Sequence, residues 1–204
     1  MTSKFSKYKY FLPTVLVFIL SVIGVFTTYF IQNIEDELDN EILVVEHQRL
    51  LLNVIQQYHP TAVRGDKDAF EKLEDNSRDF EGSIEALRAG GRANGMEEKI
   101  IIQGTTIPEA KQQINGIIGI WDEYKTYDRQ ARQNFKHGVI KGAEEDLIEI
   151  RNKFYNLEHY NKRLLEVFIQ NKEEAHLYKI LSIAGMMLLM TIVLISTYYK
   201  YSNK

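Results

Sequence analysis

The stretch Leu147–Tyr199, LIEIRNKFYNLEHYNKRLLEVFIQNKEEAHLYKILSIAGMMLLMTIVLISTYY, carries two signals in succession. Leu147, Ile150, Phe154, Leu157, Asn161, Leu164, Phe168, Asn171, Ala175 and Tyr178 recur at alternating steps of three and four. That spacing stacks side chains on one face of an α-helix and is incompatible with a strand's alternation. From Ile180 to Tyr199 no residue is charged, and such a run reaches the roughly 20 residues that cross a bilayer's hydrocarbon. Neither proline nor glycine interrupts the seam, so helix and span are predicted to form one rod.

The N-terminal part mirrors this arrangement. Tyr10 to Ile34 is free of charge and runs without a breaker into Glu35 to Tyr58. The helix is predicted to stop before Pro60, because a proline ring disfavours helical dihedrals in its predecessor. The apolar run exceeds the roughly 7 to 15 residues of a secretory signal and no small-x-small site follows it, so it reads as a retained anchor. All 28 Asp and Glu lie between Glu35 and Glu174, whereas Lys4, Lys7, Lys9, Lys179, Lys200 and Lys204 flank the two apolar runs. The other 19 basic residues leave the middle with a net charge of −9. Basic flanks belong in the cytoplasm. The predicted order is a cytoplasmic 1–9, a transmembrane helix over 10–32, an outer domain over 33–178, a second transmembrane helix over 179–199, and a cytoplasmic 200–204.

Two further helices complete the outer domain. Phe70, Leu73, Ser77, Phe80, Ile84 and Leu87 form one seam, closed by Gly90 and Gly91, since glycine takes left-handed dihedrals cheaply. Arg64-Gly65-Asp66 before it reads as a turn with Asp66 as N-cap. Ile107, Ala110, Ile114, Ile117, Trp121 and Tyr124 form the next, continuing through Ala131 and Phe135 to Gly138. Thr106 and Glu109 have capping-box spacing, with Pro108 in the first turn. Short connections between helices 1 and 2 and between helices 3 and 4 favour antiparallel neighbours. The fold class expected is all-α, an antiparallel up-down-up-down four-helix bundle flanked by two transmembrane helices.

Composition narrows function by exclusion. With no cysteine, the outer domain is held by packing or assembly rather than disulfides; a bacterial inner membrane, with this domain in the periplasm, fits. The acidic middle disfavours nucleic acid, whose binding depends on basic patches. No phosphate loop or serine-nucleophile motif occurs, so no enzyme and no cofactor is expected. Glu173 and His176 give a single Glu-x-x-His, where a bundle di-iron site needs two. The histidines (His47, His59, His137, His159, His176) show no zinc spacing and read as solvated. Asn161 and Asn171 read as register-fixing polar residues on the helix 4 seam.

Helix 1 carries two apolar tracks, Leu38, Ile42, Val45 and Leu52 on one side and Val44, Leu51, Ile55 and Tyr58 roughly 100° around the axis. Either one track packs inward and the other against a second copy, giving a homodimer through helix 1, or both are buried in one deeply set helix. Arg49 occupies a heptad position between Val45 and Leu52 where an apolar residue is expected. A buried guanidinium needs a partner. Two roles fit: Arg49 facing its symmetry mate across a small oxyanion, or an ion pair with Glu46 one turn away or a snorkelling side chain at the rim.

The outer segment from about Val45 to Leu165 resembles the sensor domain at the N-terminus of type IV pili methyl-accepting chemotaxis transducers and of nitrate and nitrite sensor kinases. The resemblance is carried by Gln48-Arg49-Leu50-Leu51, similar to the family's Gln-Arg-Met-Leu, by Phe80 through Leu87 to Gly90-Gly91, by Trp121-Asp122-Glu123-Tyr124, and by Asn161. It implies a periplasmic four-helix bundle, dimeric through helix 1, in which Arg49 grips nitrate at the dimer axis; Gln48, Asn53 and Glu46 beside it are the further candidate ligand-binding residues. Glu46 and His47 stand where small residues are common, and Leu52-Asn53 where the family has Ser-Gln. Only Lys200 to Lys204 follow the second span, so output is expected through a separate membrane or cytoplasmic signalling partner. A structural membrane protein that mediates assembly without a ligand is the alternative expectation.

Overall fold

The computed structural model describes residues 11–96 and 100–202, with the side chains of 13–96 and 100–199. The predicted cytoplasmic segment 1–9 and the last two residues lie outside these. Four helices are present: α1 Phe11–Val63, α2 Lys67–Ala89, α3 Pro108–Lys136 and α4 Ile140–Ser202. The fold is all-α apart from a two-residue antiparallel pair, β1 Gly91–Arg92 with β2 Ile101–Ile102, between α2 and α3.

The helix ends show which local signals won. Asp66 caps α2, its Oδ1 accepting from the Ala69 N–H at 2.9 Å, and Gly90 closes it at φ 86°, as expected. Helix α1 does not stop before Pro60; it continues to Val63 with Pro60 inside it. Proline costs one main-chain hydrogen bond, but the added turn buries Ala62 and Val63 in the core, which offsets that loss. The capping box of Thr106 and Glu109 does not form. Helix α3 starts one residue later, with Ile107 as N-cap and Pro108 in the first turn, so Glu109 stands one position short of the place from which it could reach back. The hydroxyl of Thr105 instead accepts from the Ile107 N–H at 3.3 Å.

The chain divides into two compact units, one made of Glu37–Asn171 and the other of the two terminal segments. In Glu37–Asn171 the predicted seams are buried together: Val45, Leu52 and Ile55 of α1, Leu73, Phe80, Ile84 and Leu87 of α2, Ile114, Ile117 and Trp121 of α3, and Ile150, Phe154, Leu157, Leu164 and Phe168 of α4. Gly116 gives the Tyr160 ring room against the α3 backbone, where any Cβ would collide with it.

The terminal unit contains the apolar runs. Both long helices hold segments apolar enough to cross a membrane. Several of their hydroxyls bond inside the helix: Ser21 donates to the Val17 carbonyl at 2.9 Å and Thr191 to that of Met187 at 2.8 Å. The two runs pack at Gly24, which lies against the Met186 sulfur. The α4 seam does not extend to Tyr178, whose side chain is exposed. At the inner edge of this unit Glu35 is buried and accepts from Lys179 Nζ at 2.7 Å, with His176 Nδ1 at 3.0 Å. His176 is thus a partner of Glu35 whose own side chain stays exposed, as expected of a solvated histidine.

Burial of Phe80 and Phe154 sets a measurable expectation. Replacing either with alanine destabilises the folded unit by roughly 3 to 5 kcal/mol, checked by denaturant unfolding of the full chain in detergent, whereas an exposed site such as Asp122 shifts it by about 0.5 kcal/mol or less.

Candidate functional site

The inner face of α1 runs through Leu38, Glu41, Val45, Gln48, Leu52, Ile55, His59 and Ala62, all buried. Three of these are polar, and they put the helix in a phase different from the one that apolar residues alone suggest. Val44 and Leu51 are buried too, with Ile42 and Tyr58 half-buried, so both apolar tracks pack largely within one chain. Arg49 is therefore not buried: it is exposed, and Gln48 takes the inward heptad position instead. What remains outside on α1 is a strip of Leu43, Glu46, Arg49, Leu50 and Asn53.

Arg49, Glu46 and Asn53 line a groove of about 380 Å³ between α1 and α4, with Gln56 beside them and Phe154 and Glu158 opposite. Gln48 is not part of it. Its amide lies in the core, and neither polar atom has a protein partner; the same is true of Asn161 on α4. Among the described residues Arg49 makes no ion pair, with Glu46 or any other carboxylate. The groove thus gathers three of the four predicted residues around an uncommitted guanidinium, and a planar fork of donors of that kind pairs with small oxyanions and carboxylates.

A second polar constellation was not anticipated. His59, expected to be solvated, is buried, and its Nε2 lies 2.9 Å from Asp128 Oδ1. An ionised carboxylate can only accept, so the imidazole donates. Arg132 Nε donates to both Asp128 oxygens at 3.0 and 2.9 Å, and its guanidinium sits 4.5 Å from the Phe70 ring centre. Burial pushes the Asp128 carboxyl up, but the hydrogen bonds from His59 and Arg132 outweigh it and hold the group below the usual range. Rings surround this network: Phe80 against Trp121 at 4.6 Å, Trp121 stacked on Tyr124 at 4.6 Å, and Tyr124 against Phe154 at 5.1 Å. Trp121 Nε1 donates to Glu81 at 2.8 Å. The signal was present in the spacing, because His59 keeps phase with Leu52 and Ile55, and Asp128 with Trp121 and Tyr124.

Glu41 is the third buried polar group of α1. Burial, reinforced by the neighbouring charge of Glu37 and opposed by a hydrogen bond with Thr105, pushes its carboxyl from about 4.5 up to about 7. No protein-family model, curated protein or solved structure matches the chain.

Since the folded state holds the Glu41 proton more tightly than the unfolded state does, stability falls as pH rises from about 4.5 to about 7. The loss is of the order of 3 kcal/mol. Glu41→Gln removes a group that can ionise there, so thermal melts of the variant at pH 5 and pH 8 lie closer together than those of the parent, with the gain concentrated at pH 8.

Proposed function

We propose that the chain is a non-enzymatic membrane sensor that binds a small oxyanion, nitrate being the first candidate, in the α1–α4 groove at Arg49. In this reading the two apolar runs span a bacterial inner membrane with both termini in the cytoplasm, as the basic flanks and acidic middle favour. The unit outside is an antiparallel up-down-up-down four-helix bundle of the kind found in type IV pili chemotaxis transducers and nitrate and nitrite sensor kinases. Support for antiparallel neighbours comes from paired contacts: Asn134 bonds Asp146 and Glu123 bonds Lys153, so positions on α4 fall as those on α3 rise.

The observation that carries the ligand reading is the unpaired, exposed Arg49 in a concave groove with Asn53 and Gln56. Two copies meeting along the outer strip of α1 would bring their Arg49 side chains into one neighbourhood, and an anion between them would relieve the repulsion. Ligand binding and self-association are then linked. The assembly reading, without ligand, is favoured by one feature, the large exposed side chains Leu43 and Leu50 seven residues apart on α1.

Sedimentation of the full chain in detergent separates the two. Nitrate tightens self-association of the parent, and Arg49→Met associates at least as well without nitrate but no longer responds to it. Association that ignores anions in both proteins supports assembly alone. A reporter fused after Lys204 is active in the cytoplasm only, and one inserted at Gly91 outside only.

A further inference from the structure

The α1–α4 face holds a second recess, which differs from the Arg49 groove in charge. Gln56, His59 and Arg64 from α1 and the turn after it, and Ile150, Arg151 and Phe154 from α4, line a cleft of about 300 Å³. Glu46 and Glu158 stand in the Arg49 groove, but no residue lining this cleft is acidic. Among the described residues neither Arg64 nor Arg151 forms an ion pair. The carboxylate behind the His59 ring, Asp128, is already held by Arg132, so it does not neutralise them. Uncompensated positive charge in a recess with apolar walls attracts an anion more strongly than the same charge on an open surface.

The walls say what kind of anion. Ile150 and Phe154 are buried core residues that line the cleft, and the volume is at the lower end of those that take small molecules. We propose that this cleft binds a small organic monocarboxylate with an aromatic or branched apolar body, its carboxylate held by the Arg64 and Arg151 guanidinium groups and its body on Phe154. Arginine forks match a carboxylate in shape as well as charge. Inorganic anions offer the charge without the body and fit less well. The cleft shares Gln56 and Phe154 with the Arg49 groove, but Arg64 and Arg151 line this cleft alone.

The chain supplies its own reporter. Trp121 is its one tryptophan, and it stacks on Tyr124, which packs against Phe154. Benzoate titrated into the full chain in detergent shifts Trp121 emission saturably, and calorimetry gives the same affinity. Benzamide, the neutral analogue, binds about tenfold or more weakly, as do nitrate and inorganic phosphate by this readout, given what a charge-assisted hydrogen bond contributes. Arg64→Met and Arg151→Met each weaken benzoate about tenfold while retaining the parent's helical ellipticity and thermal melting; Arg88→Met, on α2, changes nothing. The proposal is overturned if benzoate does not bind saturably, if benzamide matches it, or if both arginine variants fold and bind benzoate as the parent does.

Discussion

The burial of α1 on two sides is the constraint from which the rest of the unit Glu37–Asn171 follows. Its inner face holds Leu38, Val45, Leu52 and Ile55 together with Glu41, Gln48 and His59, and the adjoining track of Val44 and Leu51 is covered as well. Burying polar groups is costly unless they find partners, so a helix with three of them on its inner face is held there by the apolar residues between. Once that phase is set, Arg49, Asn53 and Glu46 fall at the α1–α4 groove, and Leu43 and Leu50 fall outside. The candidate site is a consequence of how the core is filled.

The His59–Asp128–Arg132 network shows how one of the three polar groups is accommodated. Asp128 is hydrogen-bonded from two sides, Arg132 rests on Phe70, and the rings of Tyr124 and Phe154 lie 5.7 and 6.3 Å from the imidazole. Partners on α1 and α3 are thereby held in register by a bond that neither helix makes alone. A half-buried ionic network of this type can fix which faces of α1 and α3 meet while adding little net stability. Arg64 and Arg151 border the same region from the outside, at the surface of the wall that His59 and Phe154 form.

Much of this was legible in the chain. Helix period and uncharged runs identified four helices and two apolar segments, and Asp66 and Gly90 marked the ends of α2, because each of these signals acts locally. Two of the features that differ from expectation depend on tertiary burial. Pro60 reads as a stop, although Ala62 and Val63 beyond it are drawn into the core. Arg49 was placed inside by assuming that apolar residues alone mark the inner face, when Gln48 was the inward residue. The strand pair between Gly91 and Ile102 was missed because two-residue strands have no period to detect, though the positive φ of Gly90, Gly91, Gly95 and Gly104 echoes the glycines visible there.

On the proposed function, the outer strip of α1, and not its buried tracks, faces a second copy with Arg49 between. Because the chain has no cysteine, single cysteines report without background. Oxidative crosslinking in membranes should link Leu43→Cys and Leu50→Cys chains into dimers, more readily in nitrate, and leave Val44→Cys and Leu51→Cys chains monomeric. Crosslinking at positions 44 and 51 in preference to 43 and 50, or at none of the four, would contradict the account.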